Sequence, residues 1–356
     1  KEQLQGGKRD VTRFKADPRI PQGAPQDLKR VLKFIASEKP EDKVMYQSGE
    51  SENYLPVRNF FLDIDPARAR AMNMLSADED SLMVSRLEWT ISNSALLKND
   101  LMTLDIIANN IMERPIYFAV SVAPDAYLNL SKYFQLEGLA YRIVPKINQG
   151  GSPYTAPVRT DVTYNNMMKK FKFGGIAENP NIYLDENVLR MTVNIRGNFG
   201  KLADALIAKG DNAKAVEVLD YSLKVLPSDR VPHSVFDYTY PRTYYAAGQQ
   251  EKGRKLLEEM FNKAKDELNY YKAVYKYALD NARSSGDYAY LAQLQGGAFR
   301  DRREIREQLY IMQEMLMASK QYESADYAAK IEKEFMDYSM AFVQAPPGAQ
   351  QAPPQQ

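Results

Sequence analysis

The sequence predicts an α+β protein in which an N-terminal α/β domain with a small mixed sheet precedes an all-α, tetratricopeptide-like helical repeat array. At 356 residues the chain is longer than one hydrophobic core usually supports. Short β-rich runs alternate with helical stretches in the first part, a pattern typical of α/β and α+β domains. From Asp185 onward the strand signals disappear and apolar residues recur at three-, four- and seven-residue steps, which predicts helices.

Composition and helical periodicity together place five segments. Residues 1–25 combine glycines and prolines with few large apolar side chains, which predicts a linker or lead-in strand. Residues 26–150 form the predicted α/β domain, and the Gly- and Pro-containing residues 151–183 form a connector. Residues 184–340 are the predicted helical domain. Residues 341–356 are dominated by Pro, Gln and Ala, so we expect a disordered tail there.

The first domain has recognisable strands and amphipathic helices. Runs rich in β-branched and aromatic residues predict strands over residues 43–46, 57–64, 86–91, 115–122 and 139–144. Apolar residues at helical spacing predict helices over residues 27–36 and 99–111, a third helix is predicted over residues 67–75, and one short helical stretch, residues 161–171, lies in the connector. Asp65 followed by Pro66 is an N-cap before a proline in the first turn, where the missing N–H costs nothing.

The second domain can be aligned on a 34-residue helix-pair template. Residues 198–227, 240–261 and 309–335 fit three units, the last with Tyr322 in its second helix. Pro241 is a poor fit inside the first helix of its unit. The small residue required where two helices approach closely is assigned to Ala215, Gly253 and Ala325. The long gap before the third unit leaves room for a degenerate pair, residues 268–283 with residues 288–294, so four helix pairs are predicted.

Composition excludes several function classes. Lys and Arg total 47 against 46 Asp and Glu, and the signs are interspersed, so we expect no nucleic-acid partner. The absence of cysteine removes thiolate nucleophiles and Cys-based metal sites. None of the Gly-Gly pairs continues into a phosphate-binding loop, and no apolar run is long enough to span a bilayer. We therefore predict a soluble segment without a cofactor.

Two groups of residues are weak candidates for chemistry. The single histidine, His233, has no Ser or Asp at a spacing that suggests a catalytic triad, so we interpret it as an ordinary loop residue. Asp63 and Asp65 could together hold a divalent metal, but the capping role of Asp65 favours a structural interpretation. Residues 78–80, Asp-Glu-Asp, are likewise predicted to form a solvated loop.

Tyrosines concentrate in the helical half and supply the predicted binding site. A tyrosine offers a ring face and a hydroxyl, which suits peptides and sugars. The alternative is that these rings fill gaps between helices with their hydroxyls at the surface, and the sequence leaves both interpretations open. The candidate residues are Tyr238, Tyr240, Tyr244, Tyr245, Tyr271 and Tyr275.

Three phrases of the first domain resemble a known family. They are residues 101–110 (LMTLDIIANN), 114–119 (RPIYFA) and 133–145 (YFQLEGLAYRIVP). They are similar to the C-terminal soluble region of multi-span inner-membrane proteins of Gram-negative bacteria, a domain-of-unknown-function family related to protein O-mannosyltransferases. Within them, Pro115 introduces a strand that we predict to be central in its sheet, and Gly138 is predicted to end a helix.

The resemblance, which covers residues 26–230, implies where the chain is located and which part of the parent protein is catalytic. The chain would be an extramembrane fragment at the periplasmic face of the inner membrane, attached through an N-terminal part that it lacks. In such transferases the catalytic carboxylate lies in the membrane half, so no catalytic residue is carried over to this chain.

Three functions follow as hypotheses. The first is a non-catalytic accessory domain of a membrane glycosyltransferase-like protein that binds a polypeptide or a glycan. The second is a purely structural scaffold for protein–protein assembly. The third, the weakest, is an independent metal-dependent enzyme that uses Asp63 and Asp65.

Overall fold

The structure is a computed structural model, and it describes residues 11–179, 181–286 and 303–343. The chain divides into two compact units, which we call unit 1 (residues 1–166) and unit 2 (residues 167–356). The division after Asn166 falls inside the predicted connector. All described strands lie in unit 1, and unit 2 is helical, which confirms the predicted α+β class.

Unit 1 contains short strands and short helices. Its described strands are β1 (Val11–Arg13), β2 (Gln26–Asp27), β3 (Lys43–Met45), β4 (Ser51–Asn53), β5 (Asn59–Asp63), β6 (Arg86–Thr90), β7 (Ala95–Leu97), β8 (Tyr117–Ala119), β9 (Phe134–Leu136) and β10 (Ala140–Ile143). Its helices are α1 (Leu28–Ile35), α2 (Pro66–Ala71), α3 (Lys98–Asn110) and α4 (Thr160–Asn165). The strands form four small sheets, in the orders β1-β7, β3-β4, β2-β5-β6 and β8-β10-β9, instead of one.

The β2-β5-β6 sheet is the mixed sheet that the sequence predicts. Strand β2 pairs in parallel with β5, and β5 pairs antiparallel with β6. Phe60 and Leu62 on β5, like Leu87 and Trp89 on β6, point into the core, as the two-residue period of a half-buried strand requires. Helix α1 also buries one face in the core, and the side chain of Asp27 caps its first turn.

The β8-β10-β9 sheet differs from the prediction in two ways. Strand β10 is central and β8 is an edge strand, so the strand that follows Pro115 does not lie in the middle. Gly138 does not end a helix but turns the β9-β10 hairpin with a φ of 90°. Both a helix end and a tight hairpin require a left-handed residue, so glycine alone could not distinguish them.

The described part of unit 2 contains three stacked helix pairs. The described helices are α5 (Glu186–Ala208), α6 (Asn212–Val225), α7 (Tyr240–Ala246), α8 (Gln250–Ser285), α9 (Arg303–Tyr322) and α10 (Ala325–Val343). The first helices, α5, α7 and α9, follow one another: Thr243 of α7 donates to Asp204 of α5, and Tyr238, just before α7, contacts Tyr310 of α9. The second helices also follow in order, since Lys252 of α8 pairs with Asp220 of α6.

The fourth residue of each second helix is the small one. Ala215, Gly253 and Ala328 each donate their backbone N–H to the residue that precedes the helix. Ala215 is fully buried, and a Cβ on Gly253 would lie 2.9 Å from the Tyr245 ring. The prediction of Ala325 is therefore wrong by one helical turn, because Ala325 begins α10 and is exposed, whereas Ala328 is buried.

Helix boundaries correct three further details of the array. Residues 268–283 are not the first helix of a degenerate pair but the continuation of α8, and residues 288–294 lie outside the described residues. Tyr322 is the last residue of α9 instead of part of a second helix. Pro241 fits after all, because α7 begins at Tyr240 and proline occupies its first turn.

Helices α8 and α10 run parallel in a fixed register. Four side-chain contacts join Arg254 to Glu323, Glu258 to Tyr327, Lys265 to Glu334 and Asn269 to Tyr338. The two partners are 69 residues apart in every case. A constant offset is possible only for parallel helices, and parallel second helices are what consecutive helix-pair repeats produce.

Candidate functional site

A cleft of about 470 Å³ opens between the start of α7 and the C-terminal half of α9. We call the surface around it, formed by the first helices of the three pairs, the first-helix groove. The cleft volume lies in the range of ligand-binding pockets. Met317 in the cleft is 58% exposed, and Tyr310, which contacts Tyr238, is 40% exposed. The cleft is lined by Tyr238, Thr239, Arg242, Glu314, Met317, Ala318, Lys320 and Gln321.

Two aromatic rings form the apolar end of the groove. The rings of Tyr238 and Tyr310 meet edge to face, with their centroids 5.3 Å apart. Burial raises the pKa of Tyr310, and hydrogen bonds with Tyr238 and Glu314 raise it further. The Tyr310 hydroxyl therefore stays protonated at ordinary pH.

The α5 side of the groove carries two desolvated charges. Burial lowers the pKa of Lys201. Burial also raises the pKa of Asp204, although hydroxyl hydrogen bonds from Thr243 and Thr239 and the charge of Arg242 counteract this effect. Both side chains nevertheless retain partial exposure to solvent.

Two exposed cations, Arg242 and Lys320, line the cleft, and Lys320 pairs with Glu332. Arg242 follows Pro241 in the first turn of α7. Within the described part of the chain, Arg242 feels the charge of Asp204 but makes no hydrogen bond or ion pair through its side chain. Its donors are therefore available to a ligand.

Three of the six predicted binding tyrosines belong to the helix core. Tyr240 is fully buried and donates to the backbone oxygen of Arg196. Tyr244 is 2% exposed and donates to Asp220. Tyr245 is 4% exposed, stacks on Tyr322 at a centroid distance of 5.0 Å and donates to Glu323. These three rings have no surface left for a ligand, so we reassign them to packing.

The other three predicted tyrosines keep some exposure, but they do not lie together. Tyr238 lines the cleft, whereas Tyr271 and Tyr275 are half-buried on α8, a second helix. The sequence interpretation missed Arg242, Glu314 and Met317, because residues from separate helices meet only after the pairs have stacked. The only sequence feature that could have indicated them is that all three residues lie on predicted first helices of the helix pairs.

The loop that leads into the groove is built around one buried arginine. Residues 226–239 connect α6 to α7, and Arg196 of α5 donates to the backbone oxygens of Leu226, Val231 and Pro232 in this loop. The same guanidinium lies 3.2 Å from Asp237 Oδ2, with both side chains almost fully buried. The segment that positions Tyr238 is thus held by charge-assisted hydrogen bonds.

His233 belongs to this network and has the partners that the sequence interpretation did not expect. Its Nδ1 lies 2.6 Å from Asp237 Oδ2. Its Nε2 lies 3.4 Å from Glu259 Oε1, an ion-pair distance without hydrogen-bond geometry. Burial lowers the pKa of His233, but Asp237 and Glu259 outweigh burial and leave the pKa above 6.5. The neighbouring His233, together with a hydrogen bond from Ser228, lowers the pKa of Glu259 to about 2.

The raised pKa of His233 predicts that unit 2 loses stability as the pH rises above about 6.5. A histidine whose pKa is raised by folding stabilises the fold fully below its unfolded pKa, about 6.5, and ceases to do so above its folded pKa. Nuclear magnetic resonance of the imidazole protons checks this directly, since the chain has only one histidine. We expect a midpoint above 6.5 that falls in Asp237→Asn, and a midpoint at or below 6.5 in the unaltered chain would contradict the network.

The acidic residues of unit 1 have structural roles. Asp65 accepts from the backbone N–H groups of Ala67 and Arg68, which confirms its capping role, and Asp63 pairs with Arg86 at 2.7 Å. Glu79 is not solvated as predicted. It accepts from Lys146, Ser76 and Gln135, and these bonds outweigh burial and lower its pKa to about 2. Among the described residues, no three acidic or histidine side chains are grouped to hold a metal ion.

Two of the three phrases that carry the family resemblance, residues 114–119 and 133–145, contribute to a buried polar cluster in unit 1. Arg142 donates to the backbone oxygens of Met72 and Asn73 and lies 3.4 Å from Glu137. Glu137 in turn accepts from Tyr117 at 2.6 Å. The cluster joins β8, β9 and β10 to the end of α2, so we interpret it as a structural feature of unit 1.

The comparisons with known proteins identify a relative for unit 1 only. No curated protein and no solved structure matches the chain. Within the described residues, no helix combines the length and apolar character needed to cross a bilayer. A family model described as TMEM260-associated domain 2 matches residues 1–165, which end one residue before unit 1 does. Residues 1–165, which make up nearly all of unit 1, are therefore similar to TMEM260-associated domain 2.

Proposed function

We propose that this chain is a non-catalytic accessory segment of a membrane glycosyltransferase-like protein, and that its first-helix groove binds an extended polypeptide. The observation that carries the proposal is the cleft between successive first helices, where Tyr238, Arg242 and Met317 combine ring, cation and flexible thioether. Aromatic residues, Met and Arg are enriched in protein–protein interfaces, and stacked helical repeats offer extended surfaces for binding.

A polypeptide fits the groove better than a glycan. Sugars stack on open ring faces, whereas the edge-to-face contact between Tyr238 and Tyr310 covers one ring face with the edge of the other ring. Hydrogen-bonding groups from α7 and α9 surround the cleft and suit the backbone N–H and C=O groups of an extended chain.

The setting of the segment rests on unit 1. The match to TMEM260-associated domain 2 and the resemblance of residues 101–110 and 133–145 to the soluble end of transferase-related membrane proteins both support attachment to a membrane-embedded part. We propose a location at the periplasmic face of the inner membrane. In this arrangement unit 2 presents a polypeptide to chemistry that takes place elsewhere in the parent protein.

The test uses peptides selected from a random displayed library on the immobilised whole chain, with affinities measured by fluorescence anisotropy. Central interface residues typically change binding by more than 1 kcal/mol when truncated, so we expect Tyr238→Ala and Met317→Ala each to weaken binding about tenfold. The matched controls Tyr277→Ala and Met336→Ala alter exposed residues of the second helices α8 and α10 and leave affinity unchanged.

The same experiment separates the proposal from a purely structural scaffold. The second helices expose Tyr270, Tyr277, Met336 and Met340, so they offer another contact surface. Loss of binding in Tyr277→Ala or Met336→Ala, with full binding in the groove variants, would contradict the groove and favour the scaffold role.

A further inference from the structure

We propose that the polypeptide held in the first-helix groove presents an acidic side chain to Arg242. This inference rests on the proposed function and adds the chemical class of the ligand. It comes from comparing the hydrogen-bonding groups of the groove that are already occupied with those that are not.

The acidic groups of the groove are already occupied. Asp204 accepts from the hydroxyl of Thr243, and Thr239 contributes a second hydroxyl hydrogen bond. Glu314 lies close enough to Tyr310 to raise the pKa of that hydroxyl further. Both carboxylates of the groove therefore already have hydroxyl partners within the protein.

The donors of Arg242 are not occupied in the same way. A guanidinium carries five N–H donors in a planar fork. In the described residues none of the five makes a hydrogen bond within the chain, although the group lines the cleft. A carboxylate matches this fork and forms two charge-assisted hydrogen bonds with it, which are stronger than neutral ones.

The apolar part of the cleft adds a second requirement. Met317 and Tyr238 line the same cleft as Arg242, and Met317 is more than half exposed. Apolar side chains of the ligand gain from covering these two residues. The expected ligand is therefore an extended segment that carries Asp or Glu close to a large apolar residue.

A double-mutant cycle tests the inference on the whole chain. The probe is a peptide selected as above, together with its isostere in which Glu is replaced by Gln or Asp by Asn. We expect the isostere to bind about tenfold more weakly to the unaltered protein, the difference typical of hydrogen bonds to charged groups. We expect Arg242→Gln to bind the two peptides with equal affinity. Loss of the difference in this variant assigns it to the interaction between Arg242 and the acidic side chain of the peptide. Arg283→Gln, the same substitution at an exposed residue of α8, keeps the full difference.

The outcomes distinguish this inference from the proposed function. If the isostere binds the unaltered protein as well as the acidic peptide, or if the difference persists in Arg242→Gln, the acidic contact is wrong, while the groove stands as long as Tyr238→Ala and Met317→Ala weaken binding. If the library yields no peptide, or if binding ignores both of those variants, the proposed function fails and this inference fails with it.

Discussion

Replacing Arg196 by Met is expected to lower the stability of unit 2 by about 3–5 kcal/mol, because it removes one partner of a buried ion pair. Arg196 is fully buried, and Asp237 would remain buried with His233 as its remaining cationic partner. The carbonyl groups of Leu226, Val231 and Pro232 would also lose their donor.

Urea unfolding followed by circular dichroism measures this loss, since unit 2 contains the long helices. The only tryptophan, Trp89, is buried in unit 1, so its fluorescence shows whether that unit is still folded in the variant. Arg190→Met is the matched control, because Arg190 lies on the same helix but is exposed and bonds only locally to Asn187. A stability change for Arg196→Met within about 0.5 kcal/mol of this control would refute the structural role of the network.

Tyr240→Ala is expected to lower the stability of unit 2 by about 3–5 kcal/mol, the usual cost of removing a buried aromatic ring. Its ring packs against α5 where a Cβ on Gly200 would lie 3.0 Å away, and its hydroxyl bonds to Ser222 and to the Arg196 backbone. Tyr238→Ala, two residues earlier, is expected to weaken peptide binding with little loss of stability, since Tyr238 is only half-buried.

The pair of variants decides between the two interpretations of the tyrosine cluster. Chemical denaturation and peptide anisotropy are measured on both proteins. If Tyr240→Ala kept full stability and lost binding, Tyr240 would be a ligand contact and its assignment to packing would be wrong.

The sequence predicted single elements well because each depends on local periodicity and capping. The strands around Phe60 and Trp89 show the two-residue period, and Asp65 caps the helix that the sequence places after it. The register between elements was harder to predict from the sequence. Ala325 and Ala328 are both small and one turn apart, and only the count of four residues from the start of each second helix selects Ala328.

Other predictions were wrong because more than one local structure is compatible with the same sequence pattern. The segment from Arg254 to Ser285 contains no glycine or proline, so a single long helix was already compatible with the sequence, and Gly286 ends it in the left-handed conformation. His233 has Asp237 four residues later, but only the folded loop brings Glu259 to it. The groove could not be predicted, because Arg242 and Met317 meet only through the stacking of α7 and α9.

Methyl resonances of the methionines give the most direct test of the groove. Met317 lies in the cleft, whereas Met336 and Met340 are similarly exposed on α10, a second helix. On titration of the whole chain with the selected acidic peptide, we expect the Met317 methyl signal to shift while the signals of Met336 and Met340 stay in place. Shifts of the two α10 methionines with an unchanged Met317 signal would contradict the assignment of the first-helix groove as the polypeptide-binding surface.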